Sequence, residues 1–240
     1  MKIGLFGDSY ISPEASWISF LGKKDSQFKI DCYGKGGSNL FHAIKSFHTQ
    51  LTAENVLPYD IVAFTFTWHE RLYSVWPYRN EQFCAFSEFR NYNSSTVIDP
   101  EIIDEETNQE FIKSISSHQK YIYDDRWKLF DFELELKYIL ELPKQYANTK
   151  FIFIPNTELS RELAKKHFSQ GILMDFAFET VSNREPESPG IMPIRDRRVT
   201  HLNYNNHCRF ADLFYHTIIN YNDLQDKILE VDINKFDIIR

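Results

Sequence analysis

Apolar positions along the chain fall into short, nearly unbroken runs separated by longer stretches in which they recur every third or fourth residue. The first run, Ile3 to Phe6, stops abruptly on Gly7-Asp8-Ser9. Others lie at Phe28 to Tyr33, Asp60 to Thr67 (DIVAFTFT), Lys150 to Pro155 (KFIFIP) and Ile172 to Phe178. Runs of this length, rich in β-branched and aromatic residues, predict buried strands. Between them the period lengthens and predicts helices. Ser12-Pro13-Glu14 supplies a cap, a proline at the first helical position and an early acid, opening a helix through about Lys24. Further helices are expected over Leu40 to Leu51, Glu158 to Phe168 and Asn205 to Tyr221. A longer one runs from Lys120 to Leu142, with Trp127, Phe130, Leu134 and Ile139 among its apolar positions and Pro143 closing it.

Strands alternating with helices predict an α/β fold, a three-layer α/β/α sandwich around a mostly parallel, flavodoxin-like sheet. Residues 70–118 break the rhythm: polar, aromatic and without a clear period, they read as an insertion over one edge of a single domain spanning 1–240. Asn183 to Pro193, with three prolines and a glycine, reads as a loop, and residues 222–240 as a tail of undetermined state. Ligands of such sheets sit at the carboxyl ends of the strands, near the switch in strand order. Three predicted strands end in chemically unusual residues there: Ser9, the glycines at 34–37, and Trp68-His69.

Composition narrows the class of function. The 240 residues carry 34 acidic and 27 basic side chains, a formal net charge of −7, and no dense basic cluster beyond Arg195, Asp196, Arg197 and Arg198. A phosphate backbone wants a positive stripe, so nucleic acid is not an expected partner. No stretch approaches the ~20 apolar residues of a membrane span, and no secretory leader precedes the first strand, so a cytoplasmic or otherwise leaderless protein is expected. Cys32, Cys84 and Cys208 are too few and too scattered for a disulfide framework or a thiolate metal site.

Each candidate site residue has a plain alternative. Gly7-Asp8-Ser9 taken alone suits an ordinary turn, yet a serine just past a strand, with a helix soon after, also gains exposed amide donors and the positive end of a helix dipole. Gly36-Gly37 permits close approach of backbone to a ligand, or simply a tight βα turn. His69 has a nitrogen able to donate to an oxyanion, or is a surface histidine. His201, in a loop before the last helix, is placed to act as a general base. With His207 it forms an i, i+6 pair that suits neither one helix face nor one strand face, which disfavours a metal.

In order and context these four pieces resemble the SGNH hydrolases, the GDSL esterase/lipase superfamily. Gly7-Asp8-Ser9-Tyr10 is similar to the first block of that family, with tyrosine in place of the more usual leucine. Tyr33-Gly34-Lys35-Gly36-Gly37-Ser38 is similar to the second, whose glycine amide serves the oxyanion hole and matches Gly37. Thr67-Trp68-His69-Glu70 falls where the third block, G-x-N-D, belongs, with His69 for the asparagine. His201-Leu202-Asn203 resembles the fifth block, D-x-x-H, although Arg198 stands at the acid's position and Asp196 is the nearest upstream acid. The resemblance covers roughly residues 1–70 and 195–220.

The resemblance implies a serine ester hydrolase. Ser9 is its nucleophile, His201 its base and Asp196 the orienting acid. The amides of Ser9 and Gly37 and the His69 side chain form the oxyanion hole, with Asp8, Tyr10, Trp68 and Asn203 beside the substrate. No cofactor and no metal is required. The substrate is expected to be a small-molecule or carbohydrate ester: Trp68, Tyr73, Trp76 and Tyr78 are placed either to stack on a sugar, which makes carbohydrate O-acetyl groups attractive, or to cover the core. A catalytically silent binding module of the same fold, an O-acyltransferase, and an unrelated flavodoxin-like binder remain the alternatives. Oligomeric state is not legible.

Overall fold

A computed structural model describes residues 1–11, 16–34, 38–67, 72–75, 82–85, 125–182 and 202–237. Its main sheet has six strands: β1 (Lys2–Phe6), β2 (Lys29–Cys32), β3 (Ile61–Phe66), β6 (Lys150–Pro155), β7 (Ile172–Asp175) and β8 (Lys227–Glu230). They lie in the order β2-β1-β3-β6-β7-β8, and every neighbouring pair is parallel. Counted within this sheet alone, the order is 2-1-3-4-5-6, the flavodoxin-like winding. Two further strands, β4 (Leu72–Val75) and β5 (Gln82–Ala85), pair antiparallel in a separate sheet inside the segment expected as an insertion.

Parallel strands buried on both faces read as continuous apolar runs. β3 is buried at all six positions, and β6 at every position after Lys150. Alternate residues feed two cores. Ile3, Leu5, Ile61, Ala63, Ile152 and Ile154 face α1 (Ser16–Lys24) and α5 (Tyr204–Ile219), where Trp17 packs against Phe210 and Phe214. Phe6, Val62, Phe64, Phe66, Phe151 and Phe153 face α2 (Leu40–His48), α3 (Asp125–Gln145) and α4 (Glu158–His167). Helices on both faces complete the three-layer sandwich.

One open reading is filled in and others are corrected. The tail is part of the sheet: after the short helix α6 (Tyr221–Leu224), β8 adds a sixth strand beside β7, and Phe236 is buried in the α1/α5-side core. Its polar-apolar alternation belongs to an edge strand, which is mostly exposed. The fifth strand is shorter than its apolar run: it ends at Asp175, and Phe176 and then Phe178, at the start of a 3-10 turn (Phe178–Val181), enter the core beyond the sheet. Pro143 does not close its helix. It withholds only its own N–H, and α3 continues to Gln145 with the Tyr146 amide still bonded to the Leu142 carbonyl at 3.1 Å. The apolar positions of α3 fall on two faces. Phe132, Leu136, Ile139 and Leu140 are buried, whereas Trp127, Phe130 and Leu134 are about half exposed. This helix carries two apolar stripes, and periodicity alone does not say which one meets the sheet. The helix start expected at Ser12-Pro13-Glu14 lies outside the described residues.

Candidate active site

The strand order sets β1 between β2 and β3, so the carboxyl ends of these three strands are neighbours in the sheet. The exit of β1 turns immediately. Gly7 has φ of +155°, and a Cβ there would overlap the Thr65 hydroxyl and stand 3.1 Å from the Thr65 carbonyl oxygen. Glycine is therefore required at this step. Ser9–Ile11 form a single 3-10 turn in which the Ile11 amide donates to the Asp8 carbonyl at 3.2 Å.

Asp8 is fully buried at the centre of this edge. Its Oδ1 accepts from the Tyr10 amide at 3.1 Å. Its Oδ2 accepts from the Thr67 hydroxyl at 3.0 Å and from Asn156 Nδ2 at 2.9 Å. The Thr67 hydroxyl also lies 3.1 Å from the Ser38 carbonyl, and the Ser38 hydroxyl donates to the Gly7 carbonyl at 3.0 Å. All four of these side chains are at most 1% exposed. Hydrogen bonds to a charged group are worth ~1.5–3 kcal/mol each, and leaving one unmade in the interior costs ~1–3 kcal/mol. This network clamps the exits of β1, β3 and β6 and the start of α2 to one another.

On the other side of Ser9, Tyr10 is the second anchor. Its ring is buried and stacks on Phe178 at 4.6 Å, its hydroxyl pairs with Ser182 Oγ at 2.9 Å, and its carbonyl accepts from Trp17 Nε1 at 2.6 Å. Gly34 completes the clamp. A Cβ there would meet the Asp8 carbonyl oxygen and the Ile11 carbonyl carbon at 2.5 Å, so the exit of β2 lies directly against the turn.

The first turn of α5 packs close by. Asn203 is its N-cap, accepting from the Asn206 amide at 2.8 Å, while Asn206 Nδ2 donates to the Val181 carbonyl at 2.8 Å. Leu202 is buried in the core, and His207 Nδ1 accepts from the Trp17 amide at 3.2 Å. An accepting Nδ1 places the proton of neutral His207 on Nε2. His207 thus ties α5 to the first turn of α1.

Of the residues singled out in the sequence, Asp8 and Tyr10 come together around the backbone of Ser9, and Asn203 caps α5. All three, expected beside the substrate, have side chains engaged with the protein itself. The Ser9 side chain and Gly37, Trp68, His69, Asp196 and His201 lie outside the described residues. Sequence reasoning missed Ser38, Thr67, Asn156 and Trp17. Asn156 had a signal: it is the first polar residue after the apolar run Phe151–Pro155, the same feature that marked Gly7-Asp8-Ser9.

The strand order and two helical layers define a flavodoxin-like α/β/α protein. No family model and no curated protein matches the chain. Among solved structures it is similar to a carbohydrate acetylesterase family member from Sinorhizobium meliloti, with 12% identity and a TM-score of 0.41, over 91% of this chain and 97% of that one. At that distance the likeness assigns no role to any residue.

Proposed function

We propose that the protein is a serine-dependent carboxylic ester hydrolase of SGNH type. The observation that carries this reading is the strand order β2-β1-β3, which sets the Gly7-Asp8-Ser9 turn between the exit of β2 at Gly34 and the exit of β3 at Thr67. An oxyanion hole assembled from three neighbouring strand exits needs that adjacency. Support also comes from the clamp around the turn, since electrostatic stabilisation of a transition state depends on donors that do not move during the reaction.

Ser9 Oγ attacks the ester carbonyl carbon as His201 takes its proton, with Asp196 holding the other ring nitrogen. The tetrahedral oxyanion is held by the amides of Ser9 and Gly37 and by the His69 side chain. The Tyr10 amide is taken by Asp8 Oδ1 and the Ile11 amide by the Asp8 carbonyl; the Ser9 amide is assigned to the oxyanion by the resemblance to the SGNH family. His201 returns its proton to the leaving alcohol, and water then attacks the acyl-serine with His201 again as base, releasing the acid and restoring Ser9. The scheme needs no cofactor. Trp68, Tyr73, Trp76 and Tyr78 supply the sugar-stacking wall that makes a carbohydrate O-acetyl ester the proposed substrate, and Asp8, Tyr10 and Asn203, expected beside it, support the site through their bonds to the protein.

The test is hydrolysis of a generic acetyl ester and of acetylated oligosaccharides by the wild type and by Ser9→Ala. Turnover that vanishes in the variant supports the proposal. Absence of turnover in both favours the silent binding module, for which His69 and Arg198 at motif positions speak. Transfer of acetyl to an added sugar in preference to water identifies an acyltransferase.

A further inference from the structure

We infer that Asn156 is a positioning residue that holds the Ser9 turn in place through Asp8. The inference rests on Ser9 as nucleophile for its meaning in catalysis, but not for its geometry. Asn156 is the first residue after β6, two strands away from β1, and its backbone is locked on both sides. Its amide donates to the Phe66 carbonyl at 3.0 Å, and its carbonyl accepts from the Glu179 amide at 2.9 Å. The side chain therefore leaves a fixed point. It crosses the end of β3 to place Nδ2 2.9 Å from Asp8 Oδ2, the oxygen that Thr67 also serves.

The other end of the same amide is informative. Among the described residues, the buried Asn156 Oδ1 has no hydrogen-bond partner. Buried polar atoms are almost always paired, and an orphan calls for an explanation. A residue chosen only to fill this space would be apolar, and one chosen only to turn the chain would be smaller. What the described residues show for this side chain is the donated N–H, 2.9 Å from Asp8 Oδ2. That N–H ends on a carboxylate whose second oxygen holds the Tyr10 amide, one residue past Ser9. The chain of contacts runs Asn156, Asp8, Tyr10, and brackets the proposed nucleophile.

Asn156→Asp keeps the shape and turns the donor into an acceptor facing Asp8. Exchanging the two groups, Asp8→Asn with Asn156→Asp, restores a donor opposite an acceptor. Two readouts apply: the rate of Ser9 modification by an organophosphonate, and the chemical shift and hydrogen exchange of the Tyr10 amide, which needs no catalysis. Expected is at least a tenfold slower modification in Asn156→Asp, with a faster-exchanging Tyr10 amide, and substantial recovery of both in the exchange variant. Where Asn156→Asp does not fold, Asn156→Ser, too short to reach Asp8, should show the same two effects. A Tyr10 amide unmoved in the single variant, or an exchange variant no better than it, overturns the inference. A wild type that never reacts at Ser9 sinks the nucleophile instead, and the Tyr10 amide still decides whether Asn156 acts through Asp8.

Discussion

Replacing Gly34 by alanine tests the packing of the candidate site with one added methyl group. The new Cβ would stand 2.5 Å from the Asp8 carbonyl oxygen and the Ile11 carbonyl carbon, and 2.6 Å from the Ile11 oxygen. All three are backbone atoms of the turn that carries Ser9, so no rotamer change relieves the overlap. Either the exit of β2 or the turn itself must retreat. Overpacking of this kind costs ~1–3 kcal/mol, and a chain of this length loses ~2–4 °C of melting temperature per kcal/mol. The expected fall is about 2–12 °C. Gly22→Ala is the internal control. Its Cβ would meet nothing within 4 Å, inside α1, and an alanine there should stabilise the helix by ~0.5–1 kcal/mol. Calorimetry on both variants, with phosphonate reactivity of Ser9 alongside, separates local damage from a general effect. A Gly34→Ala protein that melts with the wild type and reacts as fast would refute close contact between the β2 exit and the turn.

Three further outcomes are expected. Trp17→Phe keeps the ring against Phe210 and Phe214 but removes the donor to the Tyr10 carbonyl, and should cost ~1–3 kcal/mol in urea denaturation; a change within error contradicts the bond. Glu135 is pushed up to about 7 by burial first and by the neighbouring Asp131 second. The folded protein therefore keeps a proton that the unfolded chain has lost, and its stability declines as pH rises from 4.5 to about 7. Glu135→Gln should be more stable than the wild type above that window and not below it; an advantage equal at both ends speaks against the cause. For the proposed oxyanion hole, His69→Ala should lose about 100- to 1000-fold in turnover while His69→Asn keeps much of it, and an equally inactive asparagine variant removes His69 from that role.

Much of the layered architecture was readable because parallel strands buried on both faces leave nearly unbroken apolar runs, as β3 (with Thr65 its one polar residue) and β6 do. What escaped was set by partners distant in sequence. Trp127, Phe130 and Leu134 are as apolar as Phe132 and Leu136, and only the position of the sheet decides between the two stripes of α3. β8 is an exposed edge strand, so its sequence carries little hydrophobic signal until β7 is there to pair with it. At the site, the oddity of Gly7-Asp8-Ser9 was legible, but its support was not. Thr67 and Asn156 acquire meaning only when the strand order brings them to one carboxylate, 59 and 148 positions away from Asp8. Glycine at 34 likewise answers to the backbone at 8–11, a contact between two strand exits that no local pattern encodes.

The most direct measurement is exposure of the intact protein to an organophosphonate probe, followed by mass spectrometry of its peptides. The proposed chemistry predicts one phosphonylated residue, Ser9, and no adduct in Ser9→Ala. An unmodified Ser9, or an adduct that persists in the variant, contradicts it.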